Sequence, residues 1–261
     1  MPATTNGSSQ SKQGVQSVSK ALELLCCFSA DHPEWGVTEI AGYLGLCKSA
    51  AHRILATCEQ YHFVVRTPDR RYRLGNRALE LGNIYRFDRR LLARAEPVLR
   101  RLADETNSIA HLGELDGREV LELARSAGPD AITFTSSPRF RGPVHATGMG
   151  KILLAFGGED AFRHFVGPSQ HLKRFTPYTI GTPEDLKREL GYVTQKGYAI
   201  SDQESVLGCR CIAVPVRNPR QKFVAALSIS NTPEKFGEAA IPRLLSKLFA
   251  AADAIGRETI D

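Results

Sequence analysis

The chain has 261 residues, of which 42% are apolar and 24% are charged, and its formal net charge is +6. This composition is typical of a globular protein with one large domain or two ordinary ones, and no run reaches the roughly 18 apolar residues that a membrane helix needs. Residues 1–90 contain 12 basic and 8 acidic residues, so this first third holds +4 of the excess charge.

The first 14 residues are polar and rich in Ser, Thr, Gln and Gly, without the apolar stretch of a secretion signal. We interpret residues 1–14 as a disordered tail and expect a cytoplasmic protein. The six cysteines include no Cys-x-x-Cys pair, and no histidine lies at ligand spacing from them. We therefore expect no cofactor and no metal site.

A helix-turn-helix pattern follows. Ser17 is a plausible N-cap of a first helix and Thr38 of a second. Gly45 supplies the next turn, where a positive φ carries no steric cost for glycine. A further helix is predicted from about Lys48 to Glu59, and it is the candidate DNA-reading helix.

The predicted DNA-reading helix has an apolar face and a polar face. Spacing of four places Ala50, Ile54 and Cys58 inward, with Ala51 and Leu55 beside them. The outer face carries Lys48, Ser49, His52 and Arg53. Short or cationic donors at a helix N-terminus suit phosphate and base-edge contacts. The alternative interpretation is an ordinary solvated helix face.

A basic hairpin comes next. Residues 63–65 are predicted to pair with residues 72–74 around the turn at 68–71. Arg70 and Arg71 lie at its tip, where we expect them to contact DNA phosphates. The helices and hairpin together predict a winged helix-turn-helix domain over residues 15–76 that binds double-stranded DNA.

Residues 77–95 show a helical apolar pattern, which we interpret as a linker helix. DNA-binding proteins of this kind usually dimerise so that two recognition helices reach successive grooves. We therefore expect the apolar stripe of this helix to pair with a second copy of the chain.

Residues 96–261 alternate between strand and helix patterns, which predicts an α+β domain with antiparallel strands. Asp116-Gly117 is a hairpin turn signal between two of the strands. Helices are expected at 98–105, 146–156, 183–196 and 240–258, and strands at 109–115, 120–125, 132–136, 210–217 and 222–230.

The last two predicted strands each have a bulky face and a face of small or weakly polar residues. Side chains alternate along a strand, so Ser228 and Ser230 share a face, as do Cys211 and Ala213 on the preceding strand. Paired hydroxyls in a space left by small residues indicate a ligand pocket. The alternative is that both serines face solvent.

Two other stretches are candidate chemical sites. Thr147, Gly148 and Gly150 lie where a loop enters a helix, which favours an anion such as a carboxylate, and the spacing does not match a phosphate-binding loop. Asp202 and Glu204 resemble a general acid/base pair, but no nucleophile accompanies them, and such carboxylates more often cap backbone groups.

Cys209 and Cys211 are the candidate pair for a disulfide. On a strand they would share a face, yet residues two apart in a strand are too far apart for an easy disulfide. We expect both to be free thiols.

Five segments together resemble the IclR family of bacterial transcriptional regulators. They occur in order over nearly the whole chain, from about Val15 to Asp261, at 16–25, 49–55, 72–75, 145–155 and 197–230. The resemblance implies a winged helix-turn-helix, a dimerising linker helix and a GAF-like α+β effector domain with a central antiparallel sheet. It also implies dimers or tetramers that bind small organic acids.

The resemblance also implies effector contacts at the positions that match the family's pattern, which are Gly148, Met149, Ser201, Cys211, Ser228 and Ser230. Residues 175–180 and 198–204 are closer to the branch that regulates aromatic-acid and β-ketoadipate catabolism. The chain departs from the common pattern at Cys209, where an aliphatic residue is usual, and at His62, where glycine is frequent.

Three hypotheses of function follow. The preferred one is a DNA-binding regulator of a catabolic operon that responds to a small organic, and in this branch aromatic, acid. The second is an enzyme acting on a small acid with an attached DNA-binding domain, which would need a nucleophile–base pair in the pocket, and none is evident in the sequence. The third is an architectural DNA-binding protein without an effector.

Overall fold

The structure is a computed structural model, and the residues it describes are 15–29, 31–88, 90–134, 141–167, 171–220 and 222–257. The predicted disordered tail at residues 1–14 lies outside these residues. The chain divides into two compact units, Met1–Tyr85 and Arg86–Asp261. Within the described ranges, no helix is both long enough and apolar enough to cross a membrane.

The first unit has three helices and a small antiparallel sheet. Its elements in chain order are α1 (Gln16–Cys26), β1 (Glu34–Trp35), α2 (Val37–Tyr43), α3 (Lys48–Gln60), β2 (Val64–Arg66) and β3 (Tyr72–Leu74). The strands follow the order β1-β3-β2, so β1 adds a third strand to the predicted hairpin. Leu24, Ile40 and Leu55 form the centre of the core beneath the helices and the sheet.

The turn between α2 and α3 is formed as predicted. Gly45 has a φ of +62°, and the Leu46 N–H donates to the Ala41 carbonyl over 2.8 Å. The predicted caps were each wrong by two residues, because Val15 precedes α1 and Gly36 precedes α2. At α2 the Glu39 carboxylate accepts the Gly36 N–H at 2.9 Å, and this bond replaces a Thr38 cap.

The inward face of α3 is rotated slightly from the prediction. Ala51, Leu55 and Cys58 are buried, whereas Ala50 and Ile54 are only half-buried. The inward stripe therefore follows spacings of three and four together and not a spacing of four alone.

Two helices follow the first sheet, α4 (Asn76–Asp88) and α5 (Arg90–Thr106). The predicted linker at residues 77–95 spans parts of both. Helix α5 is continuous across the predicted boundary between residues 95 and 96, and Leu92, Ala95 and Leu99 pack into the core of the second unit. The division into domains at that boundary stays a prediction.

The second unit is the predicted α+β fold with an antiparallel sheet. Its remaining elements are β4 (Ile109–Asp116), β5 (Glu119–Ala127), β6 (Arg141–Pro143), α6 (Gly148–Phe156), α7 (Gly158–Val166), α8 (Pro183–Lys196), β7 (Ala199–Asp202), β8 (Arg210–Arg217), β9 (Phe223–Asn231), a 3₁₀ turn (Glu238–Ala240) and α9 (Ile241–Gly256). Among the described residues the strand order is β6-β5-β4-β9-β8-β7.

The sequence did not predict β6, β7 or α7. It also predicted a strand at residues 132–136, where residues 132–134 are not in a strand and residues 135 and 136 lie outside the described ranges.

Helices cover both faces of this sheet. The predicted bulky faces of β8 and β9 are confirmed, since Ile212, Val214 and Leu227 are buried against α5 and α9. The opposite face, which includes Ala213 and Ala226, packs against α6, α7 and α8. The small-residue face therefore points toward α6 and not toward bulk solvent.

Candidate DNA-binding surface and ligand cavity

The outer face of α3 is free for contact with another molecule. The four predicted DNA-contacting side chains, Lys48, Ser49, His52 and Arg53, are all exposed. Cys47 precedes the helix, and its Sγ lies 3.3 Å from Ser49 Oγ. The hydrogen bond with Ser49 is the largest cause of a lowered pKa of the Cys47 thiol, and a hydrogen bond from the Ala50 N–H is the second.

The two arginines at the tip of the hairpin have different environments. Arg70 is exposed and has a φ of +63°, a left-handed conformation that is rare for residues other than glycine. Arg71 instead contacts its own unit, because its guanidinium donates to both Glu39 carboxylate oxygens, the shorter bond being 2.8 Å, and to the Glu34 carbonyl at 3.0 Å. Arg71 therefore ties the hairpin to α2 and β1.

A cavity of about 190 Å³ lies in the second unit on the α6 face of the sheet. Its wall combines the small-residue face of the sheet, the first turn of α6, and the segment from Ser205 to Cys209. Five of the six predicted effector residues line it, namely Gly148, Met149, Cys211, Ser228 and Ser230. The sixth, Ser201, is buried and its hydroxyl donates to the Ala146 carbonyl at 2.9 Å, which positions the loop before α6.

The first turn of α6 packs closely because it contains glycines. A Cβ at Gly150 would lie 1.9 Å from the Val144 carbonyl oxygen, and one at Gly148 would lie 3.2 Å from the Ala213 Cβ. Thr147 caps the helix by accepting the Gly150 N–H at 3.1 Å. The N–H groups of Gly148 and Met149 belong to the helix start, where no intrahelical acceptor exists, and both residues line the cavity.

A hydrogen-bonded chain of three side chains crosses the cavity wall. His111 Nδ1 lies 2.6 Å from the Glu122 carboxylate, and His111 Nε2 lies 3.0 Å from Ser230 Oγ. Arg125 Nε is 3.9 Å from the other Glu122 oxygen. No sequence pattern predicts these three bonded side chains, because pairing of β4 with both β5 and β9 assembles them.

The Ser230–His111–Glu122 chain bears on the enzyme hypothesis, for which no nucleophile–base pair was evident in the sequence. A hydroxyl, an imidazole and a carboxylate do lie in line here. The same arrangement holds an imidazole in a fixed orientation for ligand binding, because the carboxylate fixes which ring nitrogen faces the hydroxyl.

Asp202 and Glu204 do not form a pair with each other. The Arg210 guanidinium bonds Asp202 and lowers the pKa of that carboxyl. Glu204 accepts from Lys151 Nζ at 2.6 Å, and its pKa is raised by burial, an effect that the ammonium partly offsets. Lys151 is almost fully buried and also donates to Glu189 and to the Ile200 carbonyl. Each of the two carboxylates is therefore paired with a cation, whereas the sequence favoured caps of backbone groups.

The segment after β7 is held over the cavity by threonine side chains. Thr179 Oγ1 donates to the Glu204 carbonyl at 2.5 Å, and Thr176 Oγ1 donates to the Gln203 carbonyl at 2.7 Å. Phe175, in the same stretch as the threonines, lines the cavity. Residues 175–180 and 198–204, the two segments that resemble the aromatic-acid branch of the family, are therefore in contact.

Cys209 and Cys211 are both free thiols, and both line the cavity. Their sulfur atoms are 3.7 Å apart. The sulfur atoms lie closer together than spacing along a strand predicts, because Cys209 precedes β8 and lies in a turn, where its N–H donates to the Val206 carbonyl. Elsewhere, no group of three or more His, Cys, Asp or Glu side chains in the described ranges is arranged to hold a metal ion.

Comparison with known families gives two matches that cover most of the chain. Residues 87–257 match the family model described as bacterial transcriptional regulator IclR C-terminal. Residues 17–68 match the IclR helix-turn-helix domain.

Three similar proteins illustrate these matches. The HTH-type transcriptional regulator XynR of Escherichia coli is 33% identical over 93% of this chain and 96% of its own length. The Pca regulon regulatory protein of Pseudomonas putida is 30% identical over 83% of this chain and 74% of its own. The structure of an IclR homolog from Microbacterium hydrocarbonoxydans complexed with 4-hydroxybenzoate has a TM-score of 0.82 at 27% identity, covering 92% of this chain and 98% of that one.

Proposed function

The chain belongs to the IclR family of DNA-binding transcriptional regulators, and we propose that it controls a catabolic operon in response to a small organic acid bound in the cavity of the second unit. The families and relatives that it matches are transcriptional regulators and not enzymes. An enzyme acting on a small acid is therefore not the favoured alternative.

One observation carries the effector proposal. A helix start, two serine hydroxyls and an imidazole held by a carboxylate converge on one cavity, whose lining also includes Arg125, Arg141 and several apolar side chains. The α6 N–H groups favour the carboxylate of an acid, since the positive end of the helix dipole faces it. Ser228, Ser230 and His111 then supply further polar contacts for the bound acid.

The size of the cavity supports an effector with a single ring. A cavity of roughly 150 Å³ in another protein holds benzene, and this one measures about 190 Å³. The wall includes Val120, Met149 and Phe175, which offer apolar contact to such a ring. Two similar proteins, the Pca regulon regulatory protein and the IclR homolog complexed with 4-hydroxybenzoate, support an aromatic acid as the effector. We therefore extend the proposal to that class of acid.

We assign operator contacts to the exposed face of α3 and to the hairpin. Lys48, Ser49, His52 and Arg53 would enter the major groove, and Arg70 would contact a phosphate at the edge of the site. Arg71 supports this surface by holding the hairpin against α2, through its bonds to Glu39.

The regulator is proposed to act as a homodimer or a tetramer in the cytoplasm. Four large apolar side chains of α4, Leu79, Leu81, Ile84 and Tyr85, are exposed by 43–65%. A second copy packed on this helix would cover them and bring two α3 helices to one operator.

A screen of small acids tests the effector proposal. The melting temperature of the full chain is measured with benzoate, 4-hydroxybenzoate and aliphatic keto and hydroxy acids, and each mixture is analysed afterwards for turnover of the acid. We expect stabilisation by at least one acid, which remains chemically unchanged. Stabilisation by none would favour an architectural protein, and turnover would favour an enzyme.

Variants then locate the effector. Ser228→Ala with Ser230→Ala should abolish the shift in melting temperature while sparing binding to an operator fragment selected from genomic DNA. Ser246→Ala is the matched control, because Ser246 is exposed on α9 in the same unit. An unaltered response in the double variant would show that the acid binds elsewhere.

A further inference from the structure

The sulfur atoms of Cys209 and Cys211 lie 3.7 Å apart on the wall of the cavity. A disulfide needs a sulfur separation near 2.05 Å, so the two atoms must approach by about 1.7 Å. Rotation of the two side chains and a small shift of the turn that carries Cys209 supply that movement. Cys209 lies outside the regular hydrogen bonding of β8, whose first residue is Arg210, so the ladder need not break.

The two thiols are chemically unequal. A hydrogen bond from Cys211 lowers the pKa of the Cys209 thiol, although burial opposes this effect. The same contact and burial raise the pKa of Cys211 well above its usual value. Cys209 is thus the more readily deprotonated of the two thiols, and unequal thiols of this kind occur in protein dithiols that attack oxidants.

Both residues line the cavity, through which a small reagent can reach them. Cys209 is 9% exposed, and Cys211 is half-buried. A molecule the size of a peroxide enters a space of about 190 Å³ without difficulty, whereas a protein thiol does not. Intramolecular reaction between the two cysteines is therefore favoured over cross-linking between chains.

We propose that Cys209 and Cys211 form a redox-active dithiol that hydrogen peroxide or an organic peroxide oxidises to a disulfide. The Cys209 thiolate attacks the peroxide oxygen, which forms a sulfenic acid and releases water, or an alcohol from an organic peroxide, once the leaving oxygen is protonated. Cys211 then attacks the sulfenic sulfur, forms the S–S bond and releases a water molecule. The two thiols lose two electrons and two protons, and the peroxide is reduced by two electrons.

The disulfide would alter the part of the wall that contacts a bound acid. Ser205, Val206 and Cys209 belong to one turn that borders the cavity. Its ends are tied by the Gln203 N–H donating to the Cys209 carbonyl at 2.8 Å and by the Gly208 N–H donating to Gln203 Oε1 at 3.1 Å. Movement of Cys209 toward Cys211 would therefore move this turn and change the shape of the cavity.

The sequence provides a direct assay for the bond. Trypsin cleaves after Lys196, Arg210 and Arg217, so Cys209 falls in peptide 197–210 and Cys211 in peptide 211–217. The full chain carrying Cys26→Ser and Cys47→Ser is treated with hydrogen peroxide and blocked with N-ethylmaleimide. It is then digested without reductant and analysed by mass spectrometry. These two substitutions remove the exposed thiols, leaving Cys27 and Cys58 in the core of the first unit.

We expect a species with the summed mass of the two peptides less two hydrogens, which dithiothreitol separates. It should form several-fold faster in the folded chain than in urea, and it should be absent when Cys211→Ser is added. The Cys211→Ser chain should instead retain oxidised Cys209, detected as a sulfenic acid with a dimedone probe. Equal rates in folded and unfolded protein, or oxidation of Cys209 beyond sulfenic acid without any linked species, would overturn the proposal.

Discussion

His111 and Ser230 are 119 residues apart in the chain, yet Nε2 of the histidine lies 3.0 Å from Oγ of the serine. Pairing of β4 with β9 brings them together, and the Glu122 carboxylate holds the other ring nitrogen. Because all three side chains are largely buried and Ser230 and Glu122 both line the cavity, a change in any of them should alter how a ligand is held.

Glu122→Gln should weaken binding of an acid identified in the screen by about fivefold, because a charge-assisted hydrogen bond contributes roughly 1 kcal/mol more than a neutral one. Isothermal titration calorimetry measures the dissociation constant. Glu184→Gln, an exposed change in the same unit, is the control and should have no effect. Equal affinity of the Glu122 variant and the unaltered chain would show that His111 is not oriented by this carboxylate.

The buried ammonium of Lys151 should be essential to the fold of the second unit. Lys151→Met leaves the Glu204 carboxylate buried without its cation, which typically costs about 3–5 kcal/mol. Urea unfolding followed by circular dichroism measures the loss. Lys187→Met, at an exposed ion pair on α8, should cost no more than about 1 kcal/mol.

Adding Glu204→Leu to Lys151→Met tests the origin of that loss. If the cost comes from an unpaired buried charge, the double variant should recover part of the stability, because both charges are then replaced by apolar groups. A double variant less stable than Lys151→Met alone would point instead to the Lys151 bonds with Glu189 and the Ile200 carbonyl.

The elements that the sequence predicted well are those whose signal is local. Residues 183–196 form a helix at the predicted bounds, since Thr182 caps its start and Gly197 adopts a φ of +79° at its end. The faces of β8 and β9 follow from alternation within eight or nine residues. Strand β7 has four residues, too few for alternation to stand out from the surrounding turn signals.

The cavity could be predicted only in part for the same reason. Ser228 and Ser230 were found because they share a face of one strand, whereas His111 and Glu122 required knowledge of which strands pair. The 3.7 Å contact of Cys209 with Cys211 depends on the turn before β8, which spacing along a strand does not describe. The positive charge of Arg71 is visible in the sequence, whereas its bond to Glu39, 32 positions away, is not.

His62→Gly should stabilise the first unit. His62 has a φ of +61°, a conformation that costs residues with a Cβ roughly 1–2 kcal/mol. Part of that gain is lost to the greater freedom of glycine in the unfolded chain, which leaves about 0.5–1 kcal/mol. Thermal unfolding measures the change. His52→Gly, the same substitution on the exposed face of α3, should destabilise by about 0.3–0.5 kcal/mol, and stabilisation by both would refute the backbone explanation.

Arg70→Ala and Arg71→Ala should have separable effects. Arg70→Ala should lower affinity for duplex DNA of any sequence and reduce the slope of log affinity against log salt by about one, as expected for one lost phosphate contact. Its effect on thermal unfolding should be small. Fluorescence anisotropy over a series of salt concentrations measures the slope, and an unchanged slope would remove Arg70 from the interface.

Arg71→Ala should mainly reduce stability, by up to about 1 kcal/mol, because it breaks a partly exposed ion pair. Glu39→Gln removes the same pair without removing a positive charge from the hairpin. The two variants should therefore have similar melting temperatures. A much weaker DNA affinity in Arg71→Ala than in Glu39→Gln would indicate that Arg71 also contacts DNA.

The stability of the second unit should decrease as the pH falls below about 6.5. Burial lowers the pKa of His145, whose Nε2–H donates to the Lys173 carbonyl at 2.8 Å and whose ring lies 5.7 Å from those of Phe165 and Phe175. The unfolded chain therefore binds a proton at a higher pH than the folded chain does. Between the pKa of His145 in the unfolded chain and its lower pKa in the folded chain, proton binding favours unfolding. The contribution of His145 to stability is therefore complete above the unfolded-state pKa and is lost as the pH falls through the folded-state pKa.

Melting temperatures between pH 8 and pH 5 measure this effect against His145→Gln, which should show a smaller decrease over the same interval even if it is less stable throughout. His164→Gln, at an exposed histidine of α7, is the matched control and should keep the full decrease. Asp202, whose pKa Arg210 lowers, loses its contribution only near and below pH 4, outside this window. Parallel curves for the His145 variant and the unaltered chain would assign the acid sensitivity to other groups.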